Sequence, residues 1–178
     1  LGFDHLLFVL ALVMIVKSIR LLLMTITAFT LAHSITLTLA TLGVLHVPGP
    51  PVEAIIALSI VFVAAEIVHQ RQGRIGWTAR KPWVIAFAFG LLHGLGFAGA
   101  LAEVGLPENS IPLALLFFNV GVEIGQVLFI VAVLAVFQLL MKSAVGRFYF
   151  ARLEPLLVYL VGGIASYWVF ERVAGFWG

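Results

Sequence analysis

The stretch FTLAHSITLTLA, residues 29–40, places a histidine, His33, in the middle of a long apolar run. No charged residue occurs between Arg20 and Glu53. The apolar run, residues 21–45, exceeds the roughly 20 residues that a helix needs to cross a bilayer. An ionisable side chain is costly at that depth and faces a bundle interior or a water-filled path. The stretch therefore predicts a membrane-spanning helix that presents its histidine to other helices.

The composition of the whole chain extends this conclusion. The chain is 63% hydrophobic and 10% charged, whereas an ordinary soluble domain is about 25% charged. A soluble fold of 178 residues cannot hide so much apolar surface, so we expect a lipid bilayer as the partner of most of the chain. No basic patch with interleaved aromatic residues occurs, which argues against nucleic acid as a partner. The sequence has no cysteine, which excludes disulfides, thiolate metal sites and cysteine nucleophiles.

The apolar runs predict an all-α membrane protein, a bundle of six transmembrane helices that forms a single transmembrane domain over residues 1–178. Prolines, glycines and charged residues separate the runs. The chain begins with Leu1 and has no charged segment before the first run, which indicates a truncated or processed start. The predicted spans are 1–19, 21–45, 52–69, 83–102, 111–141 and 155–177.

The basic residues predict the orientation. With six spans, nine of the ten lysines and arginines fall on one side of the membrane, and only Arg172 falls on the other. Positively charged loops stay in the cytoplasm, so both termini are expected outside, in the inner (plasma) membrane of a bacterium. The nine residues on the cytoplasmic side are Lys17, Arg20, Arg71, Arg74, Arg80, Lys81, Lys142, Arg147 and Arg152.

An internal similarity suggests a repeat. FTLAHS at residues 29–34 and FGLLHG at residues 89–94 share the pattern Phe-x-Leu-x-His, and each opens a pair of spans. The second span of each pair carries a glutamate, Glu66 or Glu123. This pattern is consistent with a parallel repeat of helices 2–3 and 4–5, with a chance match as the alternative.

The polar residues inside the spans predict a column of candidate ligands through the bundle. At 1.5 Å per residue, His33 and Glu123 lie about 18 Å below the outer face, and His93 and Asn119 about 12 Å below it. Asn119 and Glu123 are four residues apart and share one face of their helix with Gln126. The candidate metal ligands are Asp4, His5, His33, His93, Asn119 and Glu123, with Glu53, Glu66, His69 and Gln126 as further path residues.

The ligand types narrow the class of ion. Imidazole, carboxylate and amide oxygen without sulfur suit nickel, cobalt, zinc or ferrous iron. Copper(I) prefers methionine or cysteine, and the three methionines lie away from the column. The donor set therefore predicts a divalent transition-metal ion without choosing among these four.

Structural interpretations of the same residues stay open. A lone membrane histidine can serve as a hydrogen bond between helices. Glu53 fits a first-turn carboxylate at a helix N-terminus, and Glu66 and His69 fit partners for the basic inner loop. Ser59 and the threonines fit hydrogen bonds to their own helices. His46, beside a proline-rich segment, fits a solvated loop residue.

Five blocks of sequence together resemble the HupE/UreJ family of small membrane proteins, and most closely its branch with an extra outward-facing N-terminal region. The blocks are GFDHLLFVLAL, FTLAHSITLTLA, VEAIIALSIVFVAAE, FGLLHGLGFA and LLFFNVGVEIGQ. The resemblance implies a nickel or cobalt permease. The Gly-x-Asp-His motif of the family corresponds to Gly2, Asp4 and His5, and its His-Gly motif to His93 and Gly94. A further histidine that the family carries just before the first motif would precede the sequence given.

The expected function, a permease, is not that of an enzyme. Other functions compete with it. A membrane-embedded metalloenzyme, either a hydrolase or an oxidase, or a metal sensor could hold the ion in the same site. The sequence lacks His-Glu-x-x-His, and a di-iron bundle site needs two Glu-x-x-His motifs, of which only Glu66–His69 is present. A structural subunit would leave the polar column unexplained. The energy source stays open, and so does a homo-oligomer.

Overall fold

The computed structural model describes residues 2–74, 76–104 and 111–177, and residues 99–104 by their backbone only. All regular secondary structure in these ranges is helical. The helices are α1 Phe3–Ile15, α2 Ile19–Thr41, α3 Gly49–Arg71, α4 Trp77–Arg80, α5 Pro82–Val104, α6 Ile111–Met141 and α7 Ala144–Ala174.

Four of these helices, α2, α3, α6 and α7, are long and apolar enough to cross a membrane. Two shorter apolar stretches, Phe3–Ile15 and Pro82–Ala98, accompany them. The prediction of an all-α, multi-pass membrane protein is therefore confirmed. Six transmembrane helices were predicted, and the described residues form seven helices, of which four are long enough to span and two contain the shorter apolar stretches. The additional helix, α4, is a single turn, and the carboxylate of Glu66 stabilises it by accepting a hydrogen bond from the Thr78 backbone N–H at 3.0 Å.

Helix α7 begins eleven residues earlier than the predicted span at residue 155. Ser143 caps it, because its hydroxyl accepts a hydrogen bond from the backbone N–H of Gly146 at 2.8 Å. Pro155 lies inside the helix rather than at its start. The sequence interpretation took the basic segment before this proline as a loop. The cap and the continuous backbone show that it is helical.

Helix α3 also begins earlier than predicted, at Gly49, because Pro50 and Pro51 occupy its first turn. Proline is favoured there, since the first N–H groups of a helix have no partner within the helix. Glu53 therefore lies one turn inside, and no acidic residue occupies the first turn of α3. The interpretation of Glu53 as a first-turn carboxylate is wrong.

Two ion pairs fix the direction of α7 relative to α3. Arg71 contacts Glu154 at 2.7 Å near one end of the pair, and Arg172 contacts Glu53 near the other, so the two helices are antiparallel. Helix α1 runs parallel to α3, since Lys17 lines a cavity together with Arg71 and Glu154. The bundle therefore has an Arg172 end and a Lys17 end.

Helices α2 and α5 pack closely and in parallel. A Cβ atom added to Gly90 would overlap the carbonyl of Phe29, and one added to Gly94 would overlap the carbonyl of His33. Both contact positions advance by four residues, so the two Phe-x-Leu-x-His segments lie side by side in one register. Small residues allow this backbone approach.

The glycines of α5 do not all lie on one face of the helix. Gly90 and Gly94 face α2, but a Cβ atom on Gly96 would meet Ile56 of α3. Gly96 therefore lies on another face, because it follows Gly94 by two residues rather than by three or four. The surroundings of Gly99 lie outside the described residues.

The apolar core surrounds α1, which contacts α2, α3, α6 and α7. Phe8 and Leu12 of α1 are fully buried, and they join a cluster that includes Ile26, Ile60 and Ile130 of neighbouring helices. Helix α1 therefore brings its N-terminal residues into the interior of the bundle, where the candidate ligands lie.

Candidate metal centre

Three histidines from three helices meet in the bundle interior and form what we call the histidine cluster. They are His5 of α1, His33 of α2 and His93 of α5, with exposed fractions of 2%, 0% and 0%. The ring centroid of His5 lies 5.2 Å from that of His33 and 5.0 Å from that of His93, both in edge-to-face geometry. The sequence interpretation placed His5 nearer the outer face. The structure places it beside the other two, because the first turn of α1 packs its His5 ring against His33 of α2 and His93 of α5.

Phenylalanine rings surround the cluster. Phe29 lies 5.3 Å from His5 and 5.0 Å from His93, measured between ring centroids, and Phe8 lies 5.2 Å from His93. Rings at these distances pack favourably. They also restrict the rotation of the imidazoles and reduce the access of water.

One ring nitrogen of the cluster has a fixed role. The Nδ1 atom of His93 lies 2.8 Å from the carbonyl oxygen of Phe89. A carbonyl can only accept, so Nδ1 carries the hydrogen, and the Nε2 atom of the neutral ring holds a lone pair. Metal-binding histidines are commonly oriented by such a bond from the other nitrogen.

Four other ring nitrogens of the cluster lack partners. Within the described residues, His5 Nε2, both ring nitrogens of His33 and His93 Nε2 are buried without a hydrogen bond. Buried polar atoms are normally paired, and each exception calls for a physical explanation such as a water or an ion. The cluster therefore offers electron-pair donors from three directions.

The rings do not yet form a coordination site. Among residues 2–74, 76–98 and 111–177, no group of three or more His, Asp or Glu side chains is arranged to hold a metal ion as it stands. The rings pack edge to face, whereas a zinc-type ion needs nitrogens that point at it from about 2.0–2.1 Å. Binding one ion by all three rings would require rotation of their side chains.

A cavity of about 200 Å³, the inner cavity, reaches the cluster from the Arg172 end. A larger cavity of about 800 Å³, the vestibule, shares Glu53 and Gly96 with it. The inner cavity is lined by Asp4, His5, Glu53, Ile56, His93, Gly96, Phe97 and Arg172. The vestibule is lined by Ala40, Leu45, His46, Val47, Pro48, Gly49, Glu53, Leu95, Gly96 and Ala98. The two cavities together lead from the bundle end to two of the three histidines.

Asp4, Glu53 and Arg172 form the mouth of the inner cavity. The Nη2 atom of Arg172 donates to both carboxylate oxygens of Asp4, at 3.1 and 3.0 Å. Its Nη1 atom donates to the backbone carbonyl of Glu53 at 2.7 Å, and its Nε atom lies 3.9 Å from the Glu53 carboxylate. The sequence interpretation expected these acids to face an incoming cation, and in the structure they face an arginine.

A second group of polar side chains, the polar layer, joins α2 to α6. The Thr27 hydroxyl donates to Glu123 at 2.8 Å, and the Thr30 hydroxyl donates to the side-chain oxygen of Gln126 at 3.1 Å. Asn119 donates to a carbonyl of its own helix and lines a cavity against α2. Asn119, Glu123 and Gln126 therefore share one face of α6, as their spacing predicted, and that face is turned towards α2.

The polar layer also contains unpaired atoms. Asn119 Oδ1, Glu123 Oε2 and Gln126 Nε2 are buried and have no hydrogen-bond partner in the described part of the chain. The observed bonds of Glu123 and Gln126 go to Thr27 and Thr30 rather than to the histidines. The structure thus arranges the candidate ligands as two groups, one on each side of α2.

The match to a protein-family model decides the identity. A model described as HupE / UreJ protein matches residues 1–172. The chain belongs to the HupE/UreJ family. The resemblance carried by the five sequence blocks is confirmed, and the family is associated with nickel and cobalt transport. Comparisons of this HupE/UreJ protein with curated proteins and with solved structures give no match.

Glu66 and His69, the path residues nearest the Lys17 end, lie apart from both groups of this HupE/UreJ protein. The Glu66 carboxylate contacts the segment before α4, where a side chain on Gly76 would overlap it. Its bond to the Thr78 N–H agrees with the structural interpretation that paired it with the inner loop. His69 is exposed.

Sequence reasoning missed the contributions of four residues to the site. Arg172 was noted only as the single cation on its side of the membrane, although that isolation was a signal that it had acidic partners. Thr27 and Thr30 were expected to bond to their own helix, as Ser59 does, but they bond to α6. His46 was interpreted as a solvated loop residue. It is exposed, and it lines the vestibule.

Proposed function

We propose that this HupE/UreJ protein is a permease for a divalent transition-metal ion of the nickel or cobalt type. The observation that carries the proposal is the histidine cluster. Three buried imidazoles from three helices lie together, with ring nitrogens that have no partner among the described residues. Two of them line a cavity that opens towards the Arg172 end.

The chemistry of the donors supports this class of substrate. Imidazole nitrogen suits nickel, cobalt, zinc and iron, and the oxygen donors of the mouth and the polar layer suit the same divalent ions. The hydrogen bond from His93 Nδ1 to Phe89 leaves Nε2 as the donor atom, which is the arrangement found in most histidine metal ligands. The chain has no cysteine, so a thiolate site for copper(I) is excluded.

The proposed path runs from the vestibule through the mouth to the histidine cluster, and then past the polar layer towards the Lys17 end. In this order, Asp4 and Glu53 attract the ion and the three histidines bind it. Asn119, Glu123 and Gln126 receive it on the other side of α2, since each has an unpaired buried atom there. His69 and Glu66 lie where the path would leave the bundle.

The proposed membrane arrangement has six crossings, with both termini outside and the basic connections in the cytoplasm of a bacterial inner membrane. The antiparallel pairing of α3 with α7 and the parallel pairing of α1 with α3 support it. These pairings put Lys17, Arg71 and Glu154 at one end and Arg172 at the other, in agreement with the positive-inside rule. The matching register of α2 and α5 supports a parallel repeat.

A metal-binding experiment tests the proposal. The native chain and the variants His93→Ala and Glu123→Gln are purified, incubated with Ni²⁺ or Co²⁺, and analysed for bound metal by mass spectrometry. We expect the native chain to bind metal. We also expect each variant to lose affinity by at least the roughly 10–100-fold that follows loss of a residue that merely orients a ligand. Ser59→Ala is the matched control, because it removes a buried hydroxyl that bonds only to its own helix.

A flux assay then separates a permease from the alternatives. Liposomes that contain the native chain are loaded with a metal-sensitive dye, and Ni²⁺ or Co²⁺ is added outside. Saturable uptake that His93→Ala abolishes supports the permease. Tightly held, stoichiometric metal without flux would instead indicate a membrane-embedded metalloenzyme or a metal sensor. The absence of both metal binding and flux would overturn the proposal.

A further inference from the structure

The mouth already contains a cation that belongs to the chain. The guanidinium of Arg172 makes two hydrogen bonds to the Asp4 carboxylate and one to the Glu53 carbonyl, and its Nε lies 3.9 Å from the Glu53 carboxylate. Such charge-assisted bonds, two of them to one carboxylate, are among the stronger contacts in proteins. The side chain of Arg172 is 19% exposed and that of Asp4 is 25% exposed, so the pair is only partly screened by solvent.

The position of this arginine is tied to the cavity behind it. Arg172, Asp4 and Glu53 all line the inner cavity, and so do His5 and His93. His5 is 2% exposed, and its Nε2 atom has no hydrogen-bond partner among the described side chains and backbone. An ion in the inner cavity beside His5 is therefore also beside the guanidinium of Arg172.

From this geometry we propose that Arg172 is an internal competitor for the cation site of the mouth and thereby selects for divalent ions. The inference rests on the proposed permease function and names a specificity residue for it. The two carboxylates carry two formal negative charges, so Arg172 leaves one uncompensated. A divalent ion that displaces Arg172 neutralises both charges. A monovalent ion compensates no more charge than Arg172 does and forfeits its directed hydrogen bonds.

A neighbouring aromatic residue provides a place for the displaced guanidinium. The Cζ atom of Arg172 lies 5.6 Å from the centre of the Trp168 ring, one turn earlier on α7. A cation over the face of an indole is stabilised there. This contact lies within α7 and already exists beside the bonds to Asp4 and Glu53, so it can persist when Arg172 releases them.

Uptake kinetics test the proposal. Liposomes that contain the native chain, Arg172→Gln or Arg172→Lys are compared in uptake of Co²⁺, in low salt and in about 0.15 M NaCl, near physiological ionic strength. For Arg172→Gln we expect the half-saturating Co²⁺ concentration to fall about tenfold, which corresponds to ~1.4 kcal/mol of lost competition. We also expect NaCl to inhibit this variant more than the native chain.

Two further variants make the result decisive. Arg71→Gln is the matched control, because it removes another ion pair of α7 with similar exposure, 29% and 35%, but at the Lys17 end. We expect its half-saturating concentration to equal that of the native chain. Arg172→Lys keeps the charge but loses the planar guanidinium, whose separate nitrogens contact Asp4 and Glu53 at the same time. It should therefore shift in the same direction as Arg172→Gln but by less, and it tests the proposal even if the glutamine variant fails to fold.

The outcomes separate this inference from the proposed function. If the native chain takes up Co²⁺ and the Arg172 variants keep or raise its half-saturating concentration, with unchanged NaCl sensitivity, Arg172 is a structural contact and the inference is overturned. If the native chain takes up neither Co²⁺ nor Ni²⁺, the permease proposal itself fails, and this inference fails with it.

Discussion

Helix α2 makes two contacts of opposite character. Against α5, glycines bring the two backbones together at Gly90 and Gly94, and the contact is close and parallel. Against α6, hydrogen bonds join side chains, and a cavity of about 270 Å³ remains beside Asn119. Hydrogen bonds between membrane helices average only about 0.6 kcal/mol, so the α6 contact yields at a much lower cost. The histidine cluster lies on the side of α2 that packs against α5, which we call the fixed side. The polar layer lies on the side that contacts α6, which we call the yielding side.

The largest expected effect comes from breaking the fixed side. In Gly94→Ala, the new Cβ would overlap the His33 carbonyl and the Thr36 hydroxyl, and the carbonyl cannot move without moving α2. Overpacking of this kind costs about 1–3 kcal/mol. Unfolding in mixed detergent micelles should show this loss, together with weaker metal binding at the cluster.

Gly163→Ala is the control for that experiment. Nothing in the described structure lies within 4 Å of a Cβ atom added to Gly163, and alanine favours helix more than glycine does. Stability should therefore stay the same or rise. Equal losses in both variants would show that the α2–α5 contact is not close-packed.

A smaller effect is expected from the yielding side. Thr30→Val keeps the shape of the side chain but removes the hydroxyl that donates to Gln126. The free energy of unfolding should fall by roughly 0.6 to 1.7 kcal/mol, the average and upper values for such bonds in a membrane protein. The same micelle titration measures it. A loss as large as that of Gly94→Ala would contradict the contrast between the two contacts.

The smallest effect is expected at Ser34, which lies 60 residues before Gly94 in the common register. Its hydroxyl donates to the Thr30 carbonyl of its own helix at 2.7 Å, and its side chain lines the cavity towards α6. Ser34→Ala should change the free energy of unfolding by no more than about 0.5 kcal/mol, as substitutions away from special features do. Thermal unfolding of Ser34→Ala and Gly94→Ala tests whether these two equivalent positions of the repeat differ in this way.

Local features of the sequence predict much of the fold. The predicted span at residues 111–141 coincides with α6. The predicted spans 21–45 and 83–102 differ from α2 and α5 by a few residues at their ends. The spacing of Asn119, Glu123 and Gln126 correctly placed them on one face. These features follow from hydrophobicity and helical period, which act within one element.

The remaining features depend on contacts between distant residues. Arg172 and Asp4 are 168 residues apart, and no periodicity connects them. Thr27 and Thr30 bond to α6 rather than to α2 only because α6 packs there. The depth of His5 could not be predicted from its position in the chain either, since it depends on how α1 packs against its neighbours.

The ion pair at the mouth also has a consequence for biosynthesis. Its two members are separated by 168 residues, and a ribosome adds roughly 5–20 residues per second. Asp4 is therefore translated roughly 10–30 s before its partner. During that interval its carboxylate must keep water or another cation nearby, because an unpaired charge inside a bilayer is costly. The Arg172 end of the bundle thus reaches its final form only when α7 has been made.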